Sequence, residues 1–171
     1  AISTAFFGVL RPHDTLHYLT GMPYDTIQEV IGVAGDNPGT LEEHLINFSY
    51  TPLLDNGKVD YKRAKEDLQK DSSIKMVAIQ RSRGYSSRDS FVVSEIAEMI
   101  KFVKKYAPQA IIFIDNCYGE FTENEEPTFY GADLMAGSLY KNAGGGIAKT
   151  GAFLVGNKDL IDRCGARLIV P

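Results

Sequence analysis

The stretch Ile111–Gly151, IIFIDNCYGEFTENEEPTFYGADLMAGSLYKNAGGGIAKTG, holds two short apolar runs, and each ends in polar residues. The first, Ala110 to Ile114, is rich in Ile and Phe, too short for an ordinary helix, and delivers Asp115-Asn116. That is the pattern of a buried strand with a carboxylate at its end. The second, Asp133 to Gly137, delivers Ser138 and Lys141, followed by Asn142, Ala143 and Gly144-Gly145-Gly146. In open α/β sheets ligands gather beyond the carboxyl ends of parallel strands, so an acid at one strand end and an amine at the next face one crevice.

Working outward, Ile74 to Gln80 reads as a buried strand, and Ser94 as the cap of a helix, Glu95 to Tyr106, with Ile96, Met99, Ile100 and Val103 at helical spacing. With the strand at 110–115 these form a right-handed parallel βαβ unit. Only nine residues separate Lys141 from Gly151. A parallel crossover needs about a dozen, so Gly151 to Gly156 should run antiparallel to its predecessor. Farther upstream, an apolar helix is followed by the breaker Arg11-Pro12-His13-Asp14 and a strand from Thr15 to Thr20. Asp25 then caps a helix over Thr26 to Val33, Thr40 caps a short turn, Leu45 to Thr51 alternates as a strand, and Asp55-Asn56-Gly57 turns tightly into a charged helix from Asp60 to about Lys70. The expected architecture is α/β: a mixed, mostly parallel sheet with helices on both faces and one antiparallel strand after Lys141.

The composition, 44% hydrophobic and 23% charged over 171 residues, is that of a globular chain of one domain. A net charge of −4 with scattered basic residues gives no field for nucleic acid. No apolar run approaches the roughly 20 residues of a membrane span. Cys117 and Cys164 form no CxxC pair or disulfide framework, so a reducing cytoplasm is the default compartment, and no residue grouping suggests a metal. The opening Ala1-Ile2-Ser3-Thr4 has neither a starting Met nor a helix cap, and the chain closes in apolar sequence, the mark of a piece of a larger protein.

A fixed acid and a fixed amine around one ligand meet the needs of pyridoxal phosphate: the amine forms a Schiff base with the aldehyde, and the carboxylate keeps the pyridine nitrogen protonated so that the ring draws electrons. Ile114-Asp115-Asn116, Glu126-Pro127, Gly131-Ala132-Asp133-Leu134 and Ser138-Leu139-Tyr140-Lys141 resemble the signature of the Cys/Met-metabolism family of fold-type-I pyridoxal-phosphate enzymes. Ser138-Leu-Tyr-Lys141-Asn-Ala-Gly-Gly-Gly is most similar to its aluminium-resistance or cystathionine-lyase-like branch. The resemblance implies a carbon–sulfur lyase acting on a small sulfur amino acid, with Lys141 as the internal aldimine and then the base at the substrate's alpha carbon. It implies Asp115 on the pyridine nitrogen, Tyr24 stacked on the ring, Tyr118 on the phenolic oxygen, Cys117 as a small filler beneath the ring and Ser138 on the phosphate. The family's second hydroxyl before the lysine is replaced by Tyr140. The resemblance further implies a homo-oligomer. Residues 1–171 would be part of the large cofactor-binding domain, with the phosphate turn before Ala1 and the small domain beyond Pro171.

Other readings stay open at several positions. Aminotransfer needs the same Asp–Lys pair, Tyr24 also fits as the anchor of a turn, and Asp115 as the cap of its own turn. Lys149 competes with Lys141, and a noncatalytic reading has the piece by itself bind no cofactor. Arg81-Ser82-Arg83, with Arg88, ends a strand and suits a phosphate or substrate carboxylate, or else forms a solvated loop. Gly144 to Thr150 is similar to a nucleotide phosphate loop, but Ala148 stands where that loop needs glycine, and a strand follows where it needs a helix.

Overall fold

The computed structural model describes residues 1–168; the closing run 169–171 lies outside the described residues. The elements are helix α1 (Ile2–Val9), strand β1 (Thr15–Tyr18), helix α2 (Asp25–Ile31), β2 (Asn47–Tyr50), α3 (Tyr61–Lys70), β3 (Ile74–Gln80), α4 (Val93–Tyr106), β4 (Ile111–Asp115), β5 (Leu134–Ser138), β6 (Ala152–Gly156) and α5 (Lys158–Leu168). A short 3-10 turn, Pro127–Tyr130, precedes β5. The strands form one sheet in the order β2-β1-β3-β4-β5-β6. The first five are parallel, and β6 pairs antiparallel with β5.

Strand alternation divides the core between the two faces. Met76, Ala78, Phe113, Leu134 and Ala136 pack with α1, α2 and α5. Val77, Ile79, Ile112, Ile114 and Met135 pack with α3 and α4. Helices therefore cover both faces. In α4 the apolar stripe Ile96, Met99, Ile100 and Val103 is buried. Its first turn is closed by the Glu95 carboxylate, which accepts from Val92 N–H at 3.1 Å, so the helix begins at Val93 and not at a Ser94 cap. Asp60 caps α3 by accepting from Arg63 N–H at 3.0 Å. Asp25 lies inside α2, with Tyr24 as the cap residue. The second strand is shorter than its alternation suggests because Leu45 takes a left-handed turn conformation, φ 59°. Helix α5 crosses α1 where a Cβ on Gly8 would lie 3.0 Å from the Cys164 Cα, so the helices meet backbone to backbone.

Register aligns the carboxyl ends that matter. Gln80 pairs with Asp115, and Asp115 with Ala136, two residues before Ser138. Two loops, one after β4 and one after β5, thus rise from adjacent central strands over the same end of the sheet.

On the far side of the sheet His17 is 1% exposed. Its Nε2 lies 3.1 Å from Thr51 Oγ1 and its Nδ1 2.8 Å from Ser49 Oγ. The Thr51 hydroxyl donates to Asp67 Oδ2 at 2.9 Å, so it accepts from Nε2–H, and Nδ1 accepts from Ser49. The ring is neutral: burial lowers its pKa to about 4 despite Asp67 and Asp71. Because the folded value is depressed, this contribution is complete at neutral pH and is lost as pH falls from the unfolded value of about 6.5 towards 4. The loss amounts to about 3 kcal/mol. Urea midpoints of the full-length protein should therefore fall more steeply with acid than those of His17→Gln; parallel curves would remove His17 as the cause.

Candidate active site

Asp115 ends β4 and is 1% exposed. Its Oδ1 accepts from Cys117 N–H at 3.2 Å, while Oδ2 is buried with no hydrogen-bond partner among the described residues. Buried carboxylate oxygens are normally bonded, because leaving one bare forfeits its hydration. Burial accordingly raises the Asp115 pKa; bonds from Cys117 and the nearby charge of Lys141 oppose this, and Glu120 adds to it. A cationic N–H donor set against Oδ2 would supply what the protein leaves out. A protonated pyridine nitrogen is such a donor, and the fit rests on this orphaned oxygen. The Cys117 thiol is pushed up to about 12, chiefly by burial and then by Asp115, and is held protonated rather than as a nucleophile.

The amine stands opposite. Ser138 closes β5, is buried, and accepts from Lys141 N–H at 3.3 Å through its hydroxyl. Its own N–H donates to Glu120 Oε1 at 2.6 Å. On the other side of the lysine, Asn142 Nδ2 donates to the Tyr118 carbonyl at 2.6 Å and to the Glu120 carbonyl at 3.4 Å. The turn bearing Lys141 is thus tied on both sides to the loop that follows Asp115. The Lys141 ammonium lies 4.3 Å from the centre of the Tyr118 ring and 5.7 Å from that of Tyr140, within cation–π range. Lys149 is exposed, with no hydrogen bond or ion pair among the described residues. The glycine turn runs into β6 without the helix a phosphate loop requires.

Glu120 and Asn142 are the residues the sequence reading lacks. The only signal for them was proximity in sequence to Asp115 and Lys141. Removing Glu120 would leave a buried N–H unpaired, a loss of about 1–3 kcal/mol. Glu120→Ala should weaken pyridoxal phosphate binding by about tenfold, with Glu120→Gln, which keeps an acceptor oxygen, recovering most of it. Equilibrium dialysis of the cofactor checks both.

The arginine loop divides into different roles. Arg81, expected at an anion, is 4% exposed and fully engaged inside the protein. It donates to the Phe91 carbonyl at 3.3 Å, Asn116 Oδ1 at 2.8 Å, the Gly119 carbonyl at 2.9 Å and Thr122 at 3.2 Å, and pairs with Glu123 and Glu126. A side chain on Gly119 would run into that guanidinium. Arg81 is therefore the hub that shapes the loop after β4. Arg88 donates to the carbonyls of Asp89 and Gln80 at 2.8 and 3.1 Å, and also to that of Ser82. It sits over Phe91 at 4.3 Å, and burial lowers its pKa to about 10. Ser82 is half-buried, and among the described residues its hydroxyl has no partner. Arg83 is exposed and its guanidinium likewise has none.

Tyr24 is half-buried at the start of α2, its N–H 3.4 Å from Gln80 Oε1. Burial raises its hydroxyl pKa, and Asp115, Cys117 and Tyr140 add to the effect, which sets Tyr24 beside the acid and the lysine turn. The structure thus brings together Asp115, Lys141, Ser138, Tyr118 and Tyr24. Next to them a cavity of about 680 Å³ opens between Tyr24, Tyr50, Gln80, Arg83 and Tyr85. Among the described residues no helix is long and apolar enough to cross a membrane, and no cluster could hold a metal.

The family model described as methionine gamma-lyase matches residues 1–171. The chain belongs to the methionine gamma-lyase family. A Bacillus subtilis relative, YnbB, is 51% identical over the whole chain. A crystal structure from Listeria monocytogenes, of a protein provisionally named as a cystathionine beta-lyase involved in aluminium resistance, is 51% identical, with a TM-score of 0.95 over 100% of this chain and 43% of its own. A carbon–sulfur lyase involved in aluminium resistance from Clostridium novyi is 44% identical, with a TM-score of 0.93 over 100% of this chain and 40% of that one. This methionine gamma-lyase family chain spans about 40% of the length of the curated relative from Bacillus subtilis. Its fold is the type-I fold of pyridoxal-phosphate enzymes, shared with the Escherichia coli pyridoxal-5'-phosphate dependent protein YhfS at 19% identity and a TM-score of 0.70.

Proposed function

We propose that the chain is the central part of the large domain of a pyridoxal-phosphate-dependent carbon–sulfur lyase acting on a small sulfur-containing amino acid. The observation that carries this reading is the buried, unpartnered Oδ2 of Asp115 facing a site whose lysine is tied down through Ser138, Glu120 and Asn142. The names of the relatives favour lyase over aminotransferase chemistry.

In this reading Asp115 holds the cofactor's ring nitrogen, Tyr24 covers the ring, Tyr118 meets its phenolic oxygen, Ser138 contacts its phosphate, and Lys141 carries it covalently. When bound, pyridoxal phosphate supplies an electron sink for the bond at the substrate's alpha carbon. The protein moves the protons. Lys141 Nζ would act as the base that takes the proton from the substrate's alpha carbon. The ring of Tyr118, with that of Tyr140 farther off, would hold the protonated Lys141 Nζ beside the loop that follows Asp115. Asp115 stays anionic because the cation beside it offsets the burial that otherwise raises its pKa. The remaining parts of the site come from the rest of the protein, which we expect to assemble as a homo-oligomer.

The test is turnover by the full-length protein loaded with cofactor. Incubation with a sulfur amino acid in water should release a thiol, a 2-oxo acid and ammonia in equal amounts. Exchange of the amino group without thiol would make it an aminotransferase.

A further inference from the structure

Two of the buried polar atoms that have no hydrogen-bond partner among the described residues, Asp115 Oδ2 and the Tyr18 hydroxyl, lie on one face of the sheet. Strand register accounts for the meeting. Tyr18 on β1 stands opposite Ala78 on β3, and Ala78 stands opposite Phe113 on β4. Asp115, two residues beyond Phe113, projects from that same face. Between the outer two strands Ala78 presents only a methyl group, and Phe6 of α1 covers the row edge-on, its ring centre 6.5 Å from that of Tyr18 and 5.3 Å from that of Phe113. On its other side Tyr18 meets Phe48 at 6.1 Å. The residue is 1% exposed. Its hydroxyl is enclosed by this chain's own core, so the partner it needs has to come from inside the fold. Burial raises the hydroxyl's pKa, and the Asp115 carboxylate adds to the effect ahead of Tyr24, which sets the two orphaned atoms within electrostatic reach of each other.

A buried hydroxyl without an acceptor forfeits its hydration, and a phenylalanine would fill the same space without that loss. A carboxylate oxygen accepts more than one hydrogen bond, so Oδ2 has room for a phenolic O–H as well as a ring N–H. Resting on the cofactor reading above, we propose that Tyr18 is a positioning residue for Asp115: its O–H donates to the carboxylate, holds Oδ2 for the cofactor's ring nitrogen and keeps the group ionised before the cofactor arrives. The groups that face Asp115 are Cys117 and Glu120 from its own loop, Lys141 from the turn after β5, Tyr24 from the start of α2 and Tyr18 from β1; β3 sets the uncharged Gln80 beside it and β5 sets Ala136. Burial opposes the anion and Glu120 adds to that, whereas Cys117 and Lys141 favour it. The Tyr18 O–H is a further donor on the favourable side, and it brings no charge of its own.

The test uses the full-length protein with its Tyr18→Phe, Asp115→Asn and double variants, and measures pyridoxal phosphate affinity across pH by equilibrium dialysis. Affinity should fall on the acid side as Asp115 takes a proton. A donor lost from the anion raises the carboxyl pKa, so Tyr18→Phe should move that fall upward by about one pH unit, a loss of about tenfold in affinity within the acid limb. Asp115→Asn should remove the fall, and adding Tyr18→Phe to it should change nothing more. An unchanged midpoint in Tyr18→Phe overturns the proposal, as does an equal effect of Tyr18→Phe in the Asp115→Asn background. A second readout needs no cofactor: infrared titration of the cofactor-free protein carrying isotope-labelled tyrosine. One tyrosine C–O stretch should shift at the pH where Asp115 is protonated, be missing in Tyr18→Phe and cease to shift in Asp115→Asn; absence of such a band overturns the proposal. If the band shifts as expected yet the unmutated protein binds no pyridoxal phosphate, the Tyr18–Asp115 bond stands and the cofactor reading fails.

Discussion

Lys141→Ala is expected to abolish covalent attachment of pyridoxal phosphate and to lower thiol release by at least about a thousandfold, whereas Lys149→Ala leaves both near the unmutated level. The size follows from two functions lost together, the covalent anchor and the base at the alpha carbon; proton transfer by itself is worth about 10²–10⁴. The contrast between the lysines comes from geometry. Lys141 leaves β5 in a turn bonded to Ser138 and to the loop after Asp115. Lys149 follows the glycine turn in open solvent. Visible absorption of the purified proteins reads attachment, and a thiol assay reads turnover. Retained attachment in Lys141→Ala with loss in Lys149→Ala would reverse the assignment.

Asp115→Asn has the second largest expected effect. Asparagine keeps the shape, and its Oδ1 still accepts from Cys117 N–H, but the charge at Oδ2 is gone. An opposite charge close to a titrating nitrogen shifts its pKa by roughly 1–3 units, each worth about 1.4 kcal/mol. Turnover should therefore fall by about 10- to 1000-fold, and the cofactor's ring nitrogen should lose its proton at lower pH. Stability should move the other way. Burial raises the Asp115 pKa, so in the cofactor-free fold the ionised form opposes folding at neutral pH. The cofactor-free variant should unfold at equal or higher urea than its parent. A carboxylate kept for structure would give the opposite sign, which makes the pair of measurements decisive.

Much of this was legible because strand ends and residue chemistry coincide. The stretches Ala110–Ile114 and Leu134–Gly137, before Asp115 and Ser138, are apolar at every position because both faces of a central strand are covered, and the short link from Lys141 to Gly151 required the antiparallel β6. What escaped has a common physical cause. Arg81 reads as a ligand-binding residue in a basic loop, and only the three-dimensional return of Asn116–Glu126 shows that its donors are already taken. Glu120 reads as one acid among several, yet it is buried because Ser138 N–H needs an acceptor. Helix α5 hides its apolar side in the pair Leu160 and Cys164 within a charged segment. These are long-range pairings, and periodicity carries no signal for them.

The most direct test of the account is borohydride reduction of the full-length protein with pyridoxal phosphate bound, followed by peptide mapping of the reduced adduct. The account requires the label on Lys141, in the peptide that follows Ser138. A label on Lys149 or another lysine, or no reducible adduct, would contradict it and leave Asp115 as the cap of its own turn.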